Sequence, residues 1–566
     1  MSRLFPEHRI RTTCSLDGTW QFYFPKQGTL LEAKDWRQGE EHLLEVPGVW
    51  EVLNSRVNYR GQAVARRVFR TEREGPARLV FKGVSHTGTV YLDGERIGFH
   101  HNAYTPFSLH IPQLSAGEHE LLVHISNQHG EISGLHIPND YYNYGGINRP
   151  VTLELPERRV FIGQVRAVPR FDATRASWAL DCTVLVENLG DPKTVELELL
   201  LADARVVEHA LLAEHGTTEF RCRLEPRSVR PWSYRDPALY LLSATLSQGD
   251  KAFDDWCDRI GFRTVSVQGE RLLVNDEPVF LLGFNRHEDH ALYGCALPLS
   301  AMRKDLALLR DLNCNAVRTS HYPNDERFLD LCDQAGLMVW EENHARGQDL
   351  SAMQHPRFRE QCYEVTGEMV REHFNHPSIV TWGVMNECAS ETEVGREMYA
   401  EQFAFIKSLD RSRPTTFASC RHQNDICQDL PDIAGWNLYP RWYDNVDPLA
   451  SLEELIHRFE PKGMARKPLI VSETGAGALP GYLDPIRRAK WSEERQADIL
   501  NEMIRAYGRH PRLSGLFIWQ FCDVRVDEAR AIGRPRCMNN KGVVDEHRRP
   551  KLAYPLVQEL FLELQR

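Results

Sequence analysis

Two glutamates stand where this chain could do chemistry. Glu387 closes the run Ser378-Ile379-Val380-Thr381-Trp382-Gly383-Val384-Met385-Asn386-Glu387, and Glu473 closes Pro468-Leu469-Ile470-Val471-Ser472-Glu473. Both runs are β-branched and apolar, the composition of a strand covered on both faces, and both turn polar only at the carboxyl end. A charge at such a place is costly to bury. Two carboxyl groups facing one substrate are what cleavage of a glycosidic bond requires, one to protonate the leaving oxygen and one to act on the opposite face of the sugar. A separation of about 5 Å gives retention and a wider one inversion. Taken singly, each glutamate reads as well as a surface residue or half of an ion pair.

Whether the two can meet depends on the elements that carry them. From residue 266 onward, strand-like runs alternate with helical ones, the mark of a parallel sheet. Eight runs read as buried strands: 278–285, 314–319, 337–342, 379–386, 415–419, 433–438, 468–472 and 514–520. Between them, Met302, Leu306, Leu309 and Leu312 share one helical face, and Asn324 starts a helix that Gly336 can end. This pattern predicts a (β/α)8 barrel, whose active site lies at the carboxyl ends of its strands. The fourth and seventh strands face each other across such a barrel, so Glu387 and Glu473 can reach one substrate. A short hairpin near 266–277 plugs the barrel or leads into it.

The chain, at 566 residues, is too long for one core. Residues 1–157 and 158–265 consist of short alternating segments; Leu92-Asp93-Gly94-Glu95 is a hairpin signal. They predict an all-β sandwich followed by an immunoglobulin-like sandwich, with the barrel domain over 266–566. A net charge of -11, from 68 basic and 79 acidic residues, argues against a nucleic-acid surface. No apolar run is long enough to span a membrane, and the first residues lack a secretory h-region, which predicts a cytoplasmic protein. The 13 cysteines form no C-x-x-C pair and read as reduced thiols. Without H-E-x-x-H or Cys/His ligand spacing, no metal or other cofactor is called for. The expected partner is a small-molecule glycoside; a homo-oligomer stays open.

Four motifs, Leu16-Asp17-Gly18-Thr19-Trp20-Gln21-Phe22, Gly283-Phe284-Asn285-Arg286-His287-Glu288-Asp289, Arg318-Thr319-Ser320-His321-Tyr322-Pro323 and Trp382 to Glu387, together resemble glycoside hydrolase family 2 of the β-glucuronidase type. The resemblance covers essentially the whole chain. It implies an N-terminal sugar-binding-like jelly roll, an immunoglobulin-like sandwich and a catalytic TIM barrel. It also implies a retaining exo-β-hexuronidase acting through a glycosyl-enzyme intermediate, with Glu387 as general acid/base and Glu473 as nucleophile. On this reading Glu387 starts protonated and Glu473 stays ionised, hydrogen-bonded by Tyr439, while Asn386 holds the sugar 2-hydroxyl.

Further positions carry over with less weight. Asn539 and Lys541, in Asn539-Asn540-Lys541-Gly542, match the pair that grips the substrate carboxylate, although alone this sequence is simply a good turn. Asp140 matches a jelly-roll acid that reaches the barrel. Tyr443 and Trp519 match aromatic pocket walls, and His287 and His321 match polar pocket groups; each of these, like Tyr439, also reads as ordinary packing. The chain departs from the family pattern at Asn285, where glycine is common, at Cys388, where proline is common and no function suggests itself, and at Pro535, where an arginine stands elsewhere. Arg534 or Arg536 could serve in its place. Arg346 replaces a small or aliphatic residue; it could donate to a C4 hydroxyl, making the substrate a galacturonide, or pair with Glu342. The loop over 343–353 is too short for a long lid. A β-galactosidase acting on neutral sugars and a non-catalytic carbohydrate-binding protein are the competing readings. A buried Lys541 disfavours the first, and the presence of Glu387, Glu473 and Tyr439 disfavours the second.

Overall fold

The computed structural model describes residues 2–26 and 36–565. Within the described part of residues 12–155 two large antiparallel sheets form, with a two-stranded one of Gly48–Val49 and Gly146–Ile147 beside them. One, of six strands, runs in the order Glu40–Val46, Gly18–Phe24, Gln62–Thr71, Gly117–Ser126, Thr87–Leu92 and Glu95–His101; the other, of four, is Thr12–Ser15, Val151–Leu155, Gly75–Phe81 and Phe107–Leu114. Trp20, Phe22, Leu79, Phe81 and Val123 pack in the core between them. The Asp93-Gly94 turn has φ of 51° and 87°, the left-handed pair that a tight two-residue hairpin needs. A second sandwich follows, with sheets of three and four strands closed over Leu180, Val184, Leu197, Leu199 and Leu242.

The remaining chain closes into an eight-stranded parallel barrel: β1 Leu281–Asn285, β2 Ala316–Thr319, β3 Met338–Glu342, β4 Ile379–Gly383, β5 Thr415–Ser419, β6 Ile433–Asn437, β7 Leu469–Thr474 and β8 Leu513–Ile518. Every residue of these strands is buried, which is why they read as unbroken apolar runs rather than alternating ones. Each expected run overlaps one strand, with β7 running on to Thr474 and β8 starting at Leu513, and with two larger corrections. Residues 277–279 belong instead to a three-stranded antiparallel sheet with Val265–Gln268 and Arg271–Val274. From that sheet Leu272 and Val274 pack, with Trp232, against Leu281, Ala316, Trp340 and Phe517 and close the floor of the barrel.

The second correction bears on the site. β4 ends at Gly383, so Asn386 and Glu387 lie on the loop beyond it, where Met385 and Glu387 both take positive φ, 51° and 53°. Non-glycine residues rarely adopt that conformation, and they do so here where a side chain must be turned into the barrel mouth. The helix expected to start at Asn324 is capped by Asp325, whose carboxylate accepts from Arg327 N, and ends at left-handed Gly336. Asn324 faces inward and accepts from Arg286 Nη1 at 2.7 Å.

The first sandwich is fastened to the barrel so that its loop over 136–146 reaches the mouth. Arg149 pairs with Glu288 at 2.9 Å, and Tyr144 donates to Asp289 at 3.1 Å. An interdomain cleft of about 460 Å³ lies away from both glutamates, lined by Arg3, Arg11 and Lys82. These cations are already paired, Arg3 with Asp258 and Asp330, Arg11 with Asp254 and Glu154, and Lys82 with Glu326 and Glu372, so this larger space reads as a domain junction. Among the described residues, no helix is long and apolar enough to cross a membrane.

Candidate active site

The carboxyl end of the barrel opens into a cavity of about 360 Å³, lined by Asp140, Arg346, Glu387, Cys420, His422, Asn437, Tyr439, Tyr443, Glu473, Trp519 and Lys541 among others. The two glutamates singled out from the sequence therefore share one pocket. Glu473, within β7, accepts from Arg318 Nη1 at 2.9 Å on one oxygen and from the Tyr439 hydroxyl at 2.7 Å on the other. Glu387 accepts from Asn437 Nδ2 at 2.9 Å and meets Arg346 Nη2 at 3.3 Å.

Arg318, at the end of β2, is the hub of this arrangement. Fully buried, it grips Glu342 with two bonds of 2.9 and 3.0 Å. It also donates to Asn285 at 2.9 Å and to Asn386 at 2.7 Å. Asn285 donates in turn to the carbonyls of Ser472 and Ile518, so the residue that departs from the family pattern ties the hub to the strand that carries Glu473. The Asn386 carbonyl is spent on Arg318, while its amide nitrogen is buried and meets no other protein group. That orphaned donor is available to a ligand.

The loop Asn539–Gly542 shows the same contrast more strongly. Its four carbonyls are all bonded: Gln520 donates to the Asn539 carbonyl, Lys551 and Ala478 to that of Asn540, Gln520 N to that of Lys541, and Gln496 to that of Gly542. The side chain of Asn540 points away and bonds the carbonyls of Pro535 and Met538. Asn539 is buried, and among the described residues neither its amide nitrogen nor its oxygen has a hydrogen-bond partner. Lys541 is 2 % exposed and, among the described residues, has no hydrogen-bond acceptor; the rings of Tyr439, Trp442 and Tyr443 lie 5.4 to 5.8 Å from its ammonium, and the carboxylates of Asp140 and Glu473 are close enough to favour its charge. Burial first, and then the neighbouring Arg534, bring its pKa down to about 7.

The remaining expected residues divide. Asp140 lines the cavity and pairs with Arg534; although burial raises its carboxyl, Arg346, Arg534 and Lys541 together hold it below the usual range. Arg536 turns outward to Glu546, so of the two candidate arginines only Arg534 pairs with a cavity residue. Arg346 pairs with Glu387 rather than with Glu342, and Asn139 fixes its other terminal nitrogen at 2.7 Å. Tyr443 stands at the mouth, 62 % exposed, whereas Trp519 is buried in the wall.

His321 and His287 do not line the cavity. Both pack against Trp519, His321 stacked on it at 4.9 Å and His287 edge-on at 5.4 Å, and His321 Nε2 stands 3.7 Å from Glu473 Oε1. Burial holds both imidazoles well below the usual histidine range and hence neutral, His321 bonding Glu342 through Nδ1 at 2.8 Å. Cys388 packs in the core behind Glu387, its thiol pushed up to about 12 by burial. Among the described residues one group, Asp330, Asp333 and His376, has the spacing to hold a metal ion. Its acids already bond Arg3, His376 and the Ser378 amide, so cations of the protein serve that role there.

The electrostatics amend one expectation. Glu473 has the donors anticipated for an ionised nucleophile, yet burial, and then the charge of Glu387, push its carboxyl up to about 7 against Arg318, Arg346 and Tyr439. Burial is the largest cause and the charge of Glu387 adds to it, while Arg318, shared between Glu342 and Glu473, offsets only part of the two. Sequence reasoning gave no site role to Arg318, Glu342 or Asn437. The first two could have been noticed as opposite charges at the ends of adjacent buried strands; Asn437 carried no signal beyond its place two residues before Tyr439.

With the geometry in view, the similarities to known proteins fall into line. Residues 56–156, 160–263 and 265–566 match, in turn, the sugar binding domain of glycosyl hydrolases family 2, the second domain model of that family, and its TIM barrel domain. The chain is 28 % identical over 520 residues to the β-glucuronidase of Streptococcus agalactiae serotype V, covering 84 % of this chain and 83 % of that enzyme. With the β-glucuronidase of Sus scrofa it shares 32 % identity over 441 residues, 75 % of this chain and 65 % of that one. It superposes on the crystal structure of a GH2 β-galacturonidase from Eisenbergiella tayi bound to galacturonate with a TM-score of 0.94 and 43 % identity, covering 100 % of this chain and 99 % of the other. The matched domains span more than half of the chain and carry the barrel that holds both glutamates: this protein belongs to glycoside hydrolase family 2.

Proposed function

We propose that this enzyme is an exo-acting retaining β-hexuronidase that releases a terminal uronic acid, with the galacturonide as its preferred epimer. One observation carries the acid specificity: the cavity that holds Glu387 and Glu473 also presents a buried ammonium, Lys541, with no hydrogen-bond acceptor among the described residues, two residues along the chain from Asn539, whose amide is unbonded. Asp140 and Glu473 offset only part of the cost of burying this cation, and a neutral hexoside supplies no further anion, whereas a C6 carboxylate does. The epimer is suggested by the 43 % identical relative, whose structure holds galacturonate, and by Arg346 in the cavity wall.

In the reaction, Glu473 attacks the anomeric carbon as Glu387 protonates the departing oxygen, and the sugar becomes covalently bound to Glu473. Arg318 and Tyr439 hold the attacking carboxylate by one oxygen each, fixing its direction. The free amide of Asn386 meets the 2-hydroxyl, a bond that strengthens as charge develops in the ring. Water then enters, loses its proton to Glu387 and displaces Glu473, so that two inversions give retention. The 13 cysteines, all unpaired, fit a reducing compartment.

The reading is tested with kcat/KM for aryl β-galacturonide, β-glucuronide and β-galactoside side by side. The galacturonide should lead, the glucuronide follow, and the neutral galactoside trail both. If the galactoside leads, the barrel and its glutamates stand and the uronate assignment is wrong.

A further inference from the structure

Behind the loop that carries Asn539 and Lys541 lies a buried ion pair that the chemistry above does not use. Lys551 Nζ meets Asp523 Oδ1 at 2.7 Å, and neither side chain is more than 1 % exposed. The same ammonium donates to the carbonyls of Ala478, at 2.8 Å, and Asn540, at 3.3 Å. The same carboxylate oxygen accepts the Gly542 amide at 2.9 Å. All three donors of Lys551 are thus in use. The pair fastens the peptide group before Lys541 and the one after it, and it joins three separate segments: the loop after β7, the turn after β8 and the residues leading into the C-terminal helix Ala553–Gln565. Neither Asp523 nor Lys551 lines the cavity.

We propose that Asp523 and Lys551 are positioning residues for substrate selectivity, holding the backbone of Asn540 and Gly542 so that the Lys541 ammonium stands where the substrate carboxylate arrives; this rests on the hexuronidase reading. A lysine is a point charge on a flexible stem, and its grip on an anion depends on where its backbone is anchored. Lys541 has no side-chain bond to fix it, so the anchoring falls to its two flanking peptide groups. Removing Lys551 leaves Asp523 with only the more distant Arg536, at 3.6 Å, and removing Asp523 leaves the Lys551 ammonium with carbonyls alone; either releases the loop from one side.

The test uses the full-length enzyme with Lys551→Met and Asp523→Asn, each alone and combined with Lys541→Ala, assayed on aryl β-galacturonide and aryl β-galactoside, with thermal melting as the control for folding. Asp523→Asn keeps an acceptor for the Gly542 amide while removing the charge, so it carries the comparison if Lys551→Met fails to fold. The expected result is a rise of about 10- to 100-fold in KM for the galacturonide, with the galactoside changed by no more than about twofold. In the Lys541→Ala background that effect should vanish, since the pair acts only through Lys541. Equal losses on both substrates, or an undiminished loss when Lys541 is already absent, would overturn the proposal and leave a merely structural ion pair. Should Lys541→Ala itself leave galacturonide turnover unchanged, the hexuronidase reading fails and takes this proposal with it.

Discussion

The two ends of the barrel solve opposite problems. At the floor, Leu272, Val274 and Trp232 meet the first residues of the strands in a wholly apolar seal. At the mouth, the same strands end in Asn285, Arg318, Glu342 and Glu473, joined by a web of hydrogen bonds that nevertheless leaves Asn386, Asn539 and Lys541 with unmatched groups. The floor is satisfied by the protein alone, whereas the mouth is completed by what it binds. Substitutions at the floor should therefore act on stability and those at the mouth on catalysis.

The largest effect expected is at Glu473. Glu473→Gln should lower kcat by about 10⁴-fold or more, because no other group in the pocket can form the covalent bond, while galacturonate still protects the protein against melting. Retained turnover would remove Glu473 as nucleophile. At the other end, Leu272→Ala should destabilise the fold by about 2–5 kcal/mol, read from chemical denaturation, with the ratio of uronide to neutral turnover unchanged. A shifted ratio would mean that the two ends are not separable.

The pH profile of kcat/KM sharpens the contrast within the mouth. Glu473, raised to about 7, must lose its proton to attack, so turnover of any glycoside should fall about tenfold per unit below that pH. Lys541, lowered to about 7, must keep its proton to hold a carboxylate, so uronide turnover should also fall above it. Uronides should thus show a bell centred near 7, and in Lys541→Ala the alkaline limb of the uronide should move to that of the neutral galactoside. The smallest effect is expected at Arg346. Arg346→Ala should move the galacturonide to glucuronide ratio several-fold toward glucuronide; an equal loss on both epimers would show that the arginine serves Glu387, which it touches, rather than C4.

The same contrast explains what could be read in advance. Strands buried on both faces declare themselves as β-branched apolar runs, and a carboxylate that ends such a run is conspicuous, so the barrel and the pair Glu387 and Glu473 were visible in one dimension. The place of Asn386 and Glu387 beyond the end of β4 was not, because nothing local marks Met385 and Glu387 as left-handed. Nor was the division of Arg318 between two acids, since Glu342 and Glu473 come from strands brought to its two sides only by closure of the barrel. His287 and His321 stand one layer back from the cavity lining, packed on Trp519, with His321 Nε2 3.7 Å from Glu473, a placement that their residue type did not announce.

The central claim is that Lys541 waits for a carboxylate, and it is tested most directly by Lys541→Ala assayed on aryl β-galacturonide and aryl β-galactoside together. Because the folded pKa of Lys541 lies below its unfolded value, its burial weighs against the fold at pH below about 7, and the penalty fades as pH rises toward the ordinary lysine range. The variant should therefore melt no lower than the parent at pH 6. Its kcat/KM on the galacturonide should fall by about 30- to 1000-fold, or ~2–4 kcal/mol, with the galactoside nearly unchanged. An equal loss on both substrates, or none on either, would contradict the account.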